Sequence, residues 1–132
     1  MKVQVRYYSR SGNTKVLADA IAKGANVKAV SIDDDNALID EETDILFIGG
    51  ALYAYGLDNK IKKYISELDA NNIKNAIVFS TSWISKHSVD LLKKELAKKN
   101  IDVSEEYIYY KNKPNSNELK EAEETTKKIL EK

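Results

Sequence analysis

Short apolar runs alternate with segments of helical period from one end of this chain to the other, and that alternation restricts the fold more than any other feature. Val3 to Tyr8, Val27 to Ile32, Asp44 to Ile48, Ala76 to Phe79 and Val103 to Tyr110 read as strands. Between the first two, Val16, Leu17, Ala20 and Ile21 mark a helix over about Thr14 to Lys23 that stops at Gly24. Leu57, Ile61, Tyr64, Ile65 and Leu68 recur at helical spacing as one stripe, and Val89, Leu92 and Leu96 give the inward face of a helix ending near Asn100. Lys111 to Ser116 turns the chain at Pro114 into a last helix bearing Leu119, Ala122, Ile129 and Leu130. The polar run Asp33 to Glu42 holds at most a short helix. Ile45 to Ile48 and Ala76 to Phe79 are apolar without alternation, as strands covered on both faces are. An α/β layered fold around a parallel sheet is the expectation.

The 132 residues suit one domain, 1–132, with enough chain to bury a core. Lysine plus arginine equals aspartate plus glutamate at 21 each, so no basic excess points to nucleic acid or an anionic membrane. The apolar stretch Ile45 to Tyr55 is broken by Gly49 and Gly50 and is too short to span a bilayer, while Lys2, Gln4 and Arg6 interrupt any signal-peptide core. A cytoplasmic location is expected. The absence of cysteine removes disulfides, thiolate nucleophiles and cysteine-held iron–sulfur clusters, and His87, the only histidine, leaves little for a metal site or a Ser-His-Asp triad. Redox chemistry here requires a borrowed cofactor.

Ser9-Arg10-Ser11-Gly12-Asn13-Thr14 falls where the first strand ends and the first helix begins. Backbone N–H groups and three short hydroxyls at such a junction can converge on one phosphate, with the helix N-terminus behind them. Neither the Walker spacing nor the three-glycine dinucleotide fingerprint is present. The plainer alternative is a polar turn with an N-cap at Asn13 or Thr14.

The motifs Tyr7-Tyr8-Ser9-Arg10-Ser11-Gly12-Asn13-Thr14, Ile45-Leu46-Phe47-Ile48-Gly49-Gly50-Ala51-Leu52-Tyr53 and Phe79-Ser80-Thr81-Ser82-Trp83 resemble those of the flavodoxin family, over essentially the whole chain. The resemblance implies a three-layer sandwich with a five-stranded parallel sheet in the order 2-1-3-4-5, the order for which flavodoxin is the standard example. Right-handed crossovers then set the loops Ser9–Thr14, Gly49–Gly56 and Ser80–Ser85 side by side at the carboxyl edge. By the same resemblance Ser9, Arg10, Ser11, Gly12, Asn13 and Thr14 hold the phosphate of FMN. Gly50, Ala51, Leu52, Tyr53, Ala54 and Tyr55, with Thr81, Ser82 and Trp83, bracket its ring, and the aromatics exclude water. Backbone groups of the Gly50 to Tyr55 loop are the implied partners of flavin N5, although Tyr53-Ala54 lacks the glycine that often eases a peptide flip there. The family's long-studied members are acidic, whereas this chain is neutral, which points to a branch with a different partner or reaction.

An FMN-binding electron-transfer protein serving redox partner proteins, as monomer or homodimer, is the leading expectation. An FMN-dependent NAD(P)H:quinone-type reductase acting on a small electron acceptor, and a phosphate-binding module without flavin, are the alternatives. Asp33-Asp34-Asp35 reads as a solvated turn before it reads as a magnesium site. His87 reads as an exposed first turn, and the final helix as a solvated face with pairs such as Glu123 with Lys127 and Glu124 with Lys128. Lys2, Gln4 and Arg6 share one face of the first strand, and Arg6 is expected to carry its head to water or to a carboxylate.

Overall fold

The computed structural model describes residues 1–53, 56–82 and 86–132, with Tyr53 described by its backbone alone. Along the chain run β1 (Val3–Tyr7), α1 (Asn13–Ala25), β2 (Ala29–Ser31), β3 (Ile45–Gly50), β4 (Leu52–Tyr53), β5 (Gly56–Leu57), α2 (Asn59–Ser66), β6 (Ala76–Thr81), α3 (His87–Lys98), β7 (Val103–Tyr110) and α4 (Ser116–Leu130). Five of these strands form a sheet in the order β2-β1-β3-β6-β7, which is 2-1-3-4-5 when only its own strands are counted. All four pairings are parallel. β4 and β5 make a separate antiparallel ribbon.

Alternation along each strand divides the core between the sheet's two faces. Val3, Val5, Tyr7, Phe47, Ile77, Phe79 and Ile108 pack with Leu17, Ile21, Ala122 and Ile129 of α1 and α4. Leu46, Ile48, Ala76 and Val78 point the other way, onto Ile61, Tyr64, Ile65, Val89, Leu92 and Leu96 of α2 and α3. β3 and β6 feed both cores, which explains their unbroken apolar sequence. Thr14, Leu17, Ala18, Ile21 and Ala22 form the buried stripe of α1.

Several boundaries differ from the expectation for identifiable reasons. α1 runs through Gly24 and ends at Asn26, whose N–H reaches the carbonyls of Ala22 and Lys23 and whose left-handed φ of 58° turns the chain out of the helix. Gly24 is required by packing instead: a Cβ there would lie 2.5 Å from the Glu123 carbonyl oxygen of α4. Val27 donates to the Ala22 carbonyl at 3.0 Å and so belongs to the helix exit, leaving β2 to begin at Ala29. α2 stops at Ser66, and Leu68 reaches the core from the turn beyond it. In α4, Lys127 pairs with both Glu123 and Glu124 at 3.4 Å, so Glu124 meets Lys127 in place of Lys128.

Arg6 corrects the expectation most clearly. Its side chain is buried, with Nε donating to the Ala37 carbonyl at 2.7 Å and Nη1 to the Val5 carbonyl at 3.1 Å. The Tyr64 hydroxyl donates to that same Ala37 carbonyl. Arg6 and Tyr64 together fasten the otherwise irregular stretch after β2 over the sheet, and backbone carbonyls take the place of the expected carboxylate. Asp33 to Asp35 lie in turns of that stretch, with Asp34 accepting from the Asn36 N–H at 2.9 Å.

Burial pushes the Tyr64 phenol up to about 12, against the opposing pull of Arg6. The folded state therefore keeps a proton that the unfolded chain releases near pH 10. Stability from this group is complete below that value and is lost as pH rises through the folded pKa. Between pH 9 and pH 11 the native chain should lose about 1 kcal/mol more stability than Tyr64→Phe. Urea unfolding across that range checks this, and parallel losses would contradict it.

Candidate functional site

Parallel register brings three loops to one edge. Tyr7 lies opposite Gly49, and Gly49 opposite Phe79, so the chain leaves β1, β3 and β6 at neighbouring points. Side chains then join the loops. The Thr14 and Thr81 hydroxyls are 2.8 Å apart and buried, linking the start of α1 to the end of β6. Ser80 donates to the Gly50 carbonyl at 2.6 Å and lies 2.6 Å from the Ser88 hydroxyl, which ties the exits of β3 and β6 to α3. Tyr109 of β7 donates to the Ser82 carbonyl from the other side.

Gly12 shapes the first loop. Its φ of 93° is one that side-chain-bearing residues rarely adopt, while no atom lies within 4 Å of where a Cβ would stand. The backbone conformation demands glycine, and the space above it is open. Ser9 Oγ accepts from the Gly12 N–H at 3.0 Å, and Ser11 Oγ from the Asn13 N–H at 3.4 Å. Gly12 is the N-cap of α1 and has no side chain with which to cap it, so Asn13 and Thr14 are its first helical residues and not its caps. An uncapped helix start behind a left-handed residue presents backbone donors and positive potential to the open side of the loop.

Arg10 reaches from the first loop to the start of α2. Its guanidinium pairs with Asp58, which is buried while Arg10 is more than half exposed. The hydrogen bond to Asp58, and a lesser one to Tyr8, hold the Arg10 pKa above its ordinary value despite some desolvation. Asp58 also caps α2, accepting from the Lys60 N–H at 2.8 Å. One carboxylate thus ties the first loop to the helix that follows the second. Sequence reasoning missed Asp58, although an aspartate just ahead of an apolar helical stripe is an N-cap signal. It placed Ser80 in the third loop without a role and missed Ser88, for which the sequence carries no signal.

Of the residues expected at the site, Ser9, Arg10, Ser11, Gly12, Asn13 and Thr14 form the loop, and Thr81 and Ser82 lie buried beside it. Gly50, Ala51 and Leu52 follow at the end of β3, with the Tyr53 backbone pairing with Gly56. The Tyr53 side chain, Ala54, Tyr55 and Trp83 lie outside the described residues. His87 is exposed as the first residue of α3. A cavity of about 630 Å³ between α1 and α4, lined by Val16, Ala20, Leu119 and mixed charges, stands apart from the three loops. The three loops, which converge at the strand ends, are the better candidate.

Comparison with known proteins places the chain in a family. The flavodoxin domain family matches residues 4–109. The chain is similar to a flavodoxin from the domain Archaea, at 26% identity and a TM-score of 0.83, over 99% of this chain and 97% of that one. Flavodoxin 1 from Bacillus cereus, at 20% identity and a TM-score of 0.77 over 99% and 98% of the two chains, shares the fold. So does the flavodiiron protein from Giardia intestinalis, at 16% identity and a TM-score of 0.83, matching 98% of this chain but 35% of that longer one. Comparison with curated proteins returns no match. This chain belongs to the flavodoxin family.

Close packing sets the floor of the site. A Cβ on Gly49 would stand 2.2 Å from the Phe79 ring, which is fully buried. Gly49→Ala should therefore cost about 1–3 kcal/mol through overpacking. Phe79→Leu in the same chain should recover part of that cost, because the two sites share one contact. Denaturant unfolding of the single and double variants reads this directly, and additive losses would show that the contact is not the cause.

Proposed function

We propose that this chain binds FMN at the carboxyl edge of its sheet and passes electrons between partner molecules, with the Ser9–Thr14 loop taking the phosphate. The observation that carries this reading is the uncapped start of α1 behind Gly12, open above and flanked by Ser9 and Ser11. Such a concavity matches a phosphate monoester in both charge and donor supply. Family membership supports the same ligand, since flavodoxins generally bind FMN. The residues present fit that group.

FMN, when bound, supplies the redox chemistry itself, and the protein contributes position, hydrogen bonds and exclusion of water. The Gly12 and Asn13 N–H groups would exchange Ser9 Oγ and Ser11 Oγ for phosphate oxygens, beside the Thr14 N–H, and the released Ser9 and Ser11 hydroxyls would donate to the same group. Thr14 has one proton to donate and two lone pairs, so its hydroxyl can accept from Thr81 while donating outward. The backbone from Gly50 to Leu52, held by Ser80, and the segment Thr81-Ser82, held by Thr14 and Tyr109, would border the ring. The sequence carries Tyr53, Tyr55 and Trp83 next to those same two segments.

Ser9→Ala and Thr14→Ala should each weaken FMN by about 1–3 kcal/mol, read from quenching of flavin fluorescence on titration. Riboflavin, which lacks the phosphate, should bind the unaltered chain more weakly than FMN and should barely sense either substitution. Equal affinity for the two flavins would place the phosphate elsewhere.

A further inference from the structure

The zero net charge of the chain conceals a segregation of charge. α1 and α4 together carry five lysines and five acids, so their side of the sheet is balanced. α2 and α3 carry six lysines against Asp90 and Glu95 alone. The compensating acids are concentrated in residues 33–44, which hold seven and no base. That acidic stretch reaches α2 on one flank, where Lys60 Nζ is 3.5 Å from Asp33.

The opposite flank of α2 faces α3 across a cleft of about 280 Å³. Lys62, Lys94 and Lys98 rim it, Leu57 and Leu91 lie within it, and Glu95 is its single acid. Lys98 lies 3.4 Å from Glu95, while Lys62 and Lys94 form no ion pair among the described residues. Gly56, on the ribbon that follows the second site loop, borders the same cleft. Two uncompensated ammonium groups beside apolar side chains suit a surface that is acidic at its rim and apolar between. A small anion would call for donors converging on one point.

Resting on the carrier reading above, we propose that the α2–α3 cleft docks the acidic face of a protein redox partner. Charge complementarity steers that face to the lysines, and Asp34, Asp35 and Asp40, which form no ion pair among the described residues, repel it from the other flank, which fixes one orientation beside the site edge. The arrangement accounts for a neutral family member without a uniformly acidic surface.

A fluorescein-labelled ten-residue polyglutamate peptide, followed by fluorescence polarisation on the full chain, stands in for the acidic face. It should bind saturably at low ionic strength and weaken about tenfold or more in roughly 200 mM salt. Lys62→Glu with Lys94→Glu should weaken it about tenfold, whereas Lys120→Glu with Lys128→Glu on α4 should leave it within about twofold. Should the first double variant fail a circular-dichroism check of folding, Lys62→Gln with Lys94→Gln is read in its place, with a loss of about threefold expected. No binding at low salt, or equal losses in both double variants, would overturn the docking face. Displacement by inorganic tripolyphosphate at concentrations below the peptide's own Kd would overturn it too, by assigning the cleft to a small polyanion. FMN titration of the same variants should give unchanged affinity. Absence of FMN binding falls on the cofactor reading, and loss of side-selectivity in the peptide falls on the docking face.

Discussion

Parallel pairing of β1, β3 and β6 is the constraint on which the rest of the molecule depends. Each of these strands exits at the same edge, and the register that sets Tyr7 beside Gly49 and Gly49 beside Phe79 leaves little freedom in where the three loops begin. The pairing is stable because β3 and β6 bury apolar side chains on both faces, joining the α1–α4 core to the α2–α3 core through one sheet. Gly49 reports how tightly the strands are set, since the Phe79 ring occupies the space of any side chain there. Above this floor the loops are cross-linked by short polar contacts, Thr14 with Thr81, Ser80 with Gly50 and Ser88, and Arg10 with Asp58. The site is a consequence of the sheet, finished by hydroxyls.

How far the fold could be read from the sequence follows the strength of local signals. β7 spans Val103–Tyr110 as expected, because an eight-residue run rich in β-formers is bounded by turn residues on both sides. Gly24 misled, because a glycine near a helix end reads as a stop, whereas here it admits the α4 backbone, a contact about a hundred residues away in sequence. The Arg6 partner was illegible for a similar reason. Its acceptor is the carbonyl of Ala37, and backbone carbonyls leave no mark in a sequence. Among site residues, the Ser9–Thr14 loop was legible because phosphate loops draw on few residue types at fixed spacing. Asp58 was legible only as a cap, since nothing local announces that the same carboxylate also holds Arg10.

Charge was the least legible property, although every charged residue can be counted in the sequence. Equal totals of acids and bases say nothing of where each lies. The fold sorts them, collecting acids in the stretch after β2 and lysines on α2 and α3. Because the sheet order puts α2 and α3 on one face, helices that are separate in sequence present one field. The cofactor site and the charged cleft thus arise from the same topology, one at the strand ends and the other along the helices that cover the sheet.

The central claim is that backbone N–H groups at the start of α1 meet a phosphate, and their amide resonances test it most directly. On titration with FMN, ¹H–¹⁵N correlation spectra should show the largest downfield shifts at Gly12, Asn13 and Thr14, and riboflavin should leave those three amides nearly in place. Shifts centred on Val16, Ala20 and Leu119 in the α1–α4 cavity, or the same response to both flavins, would contradict the account.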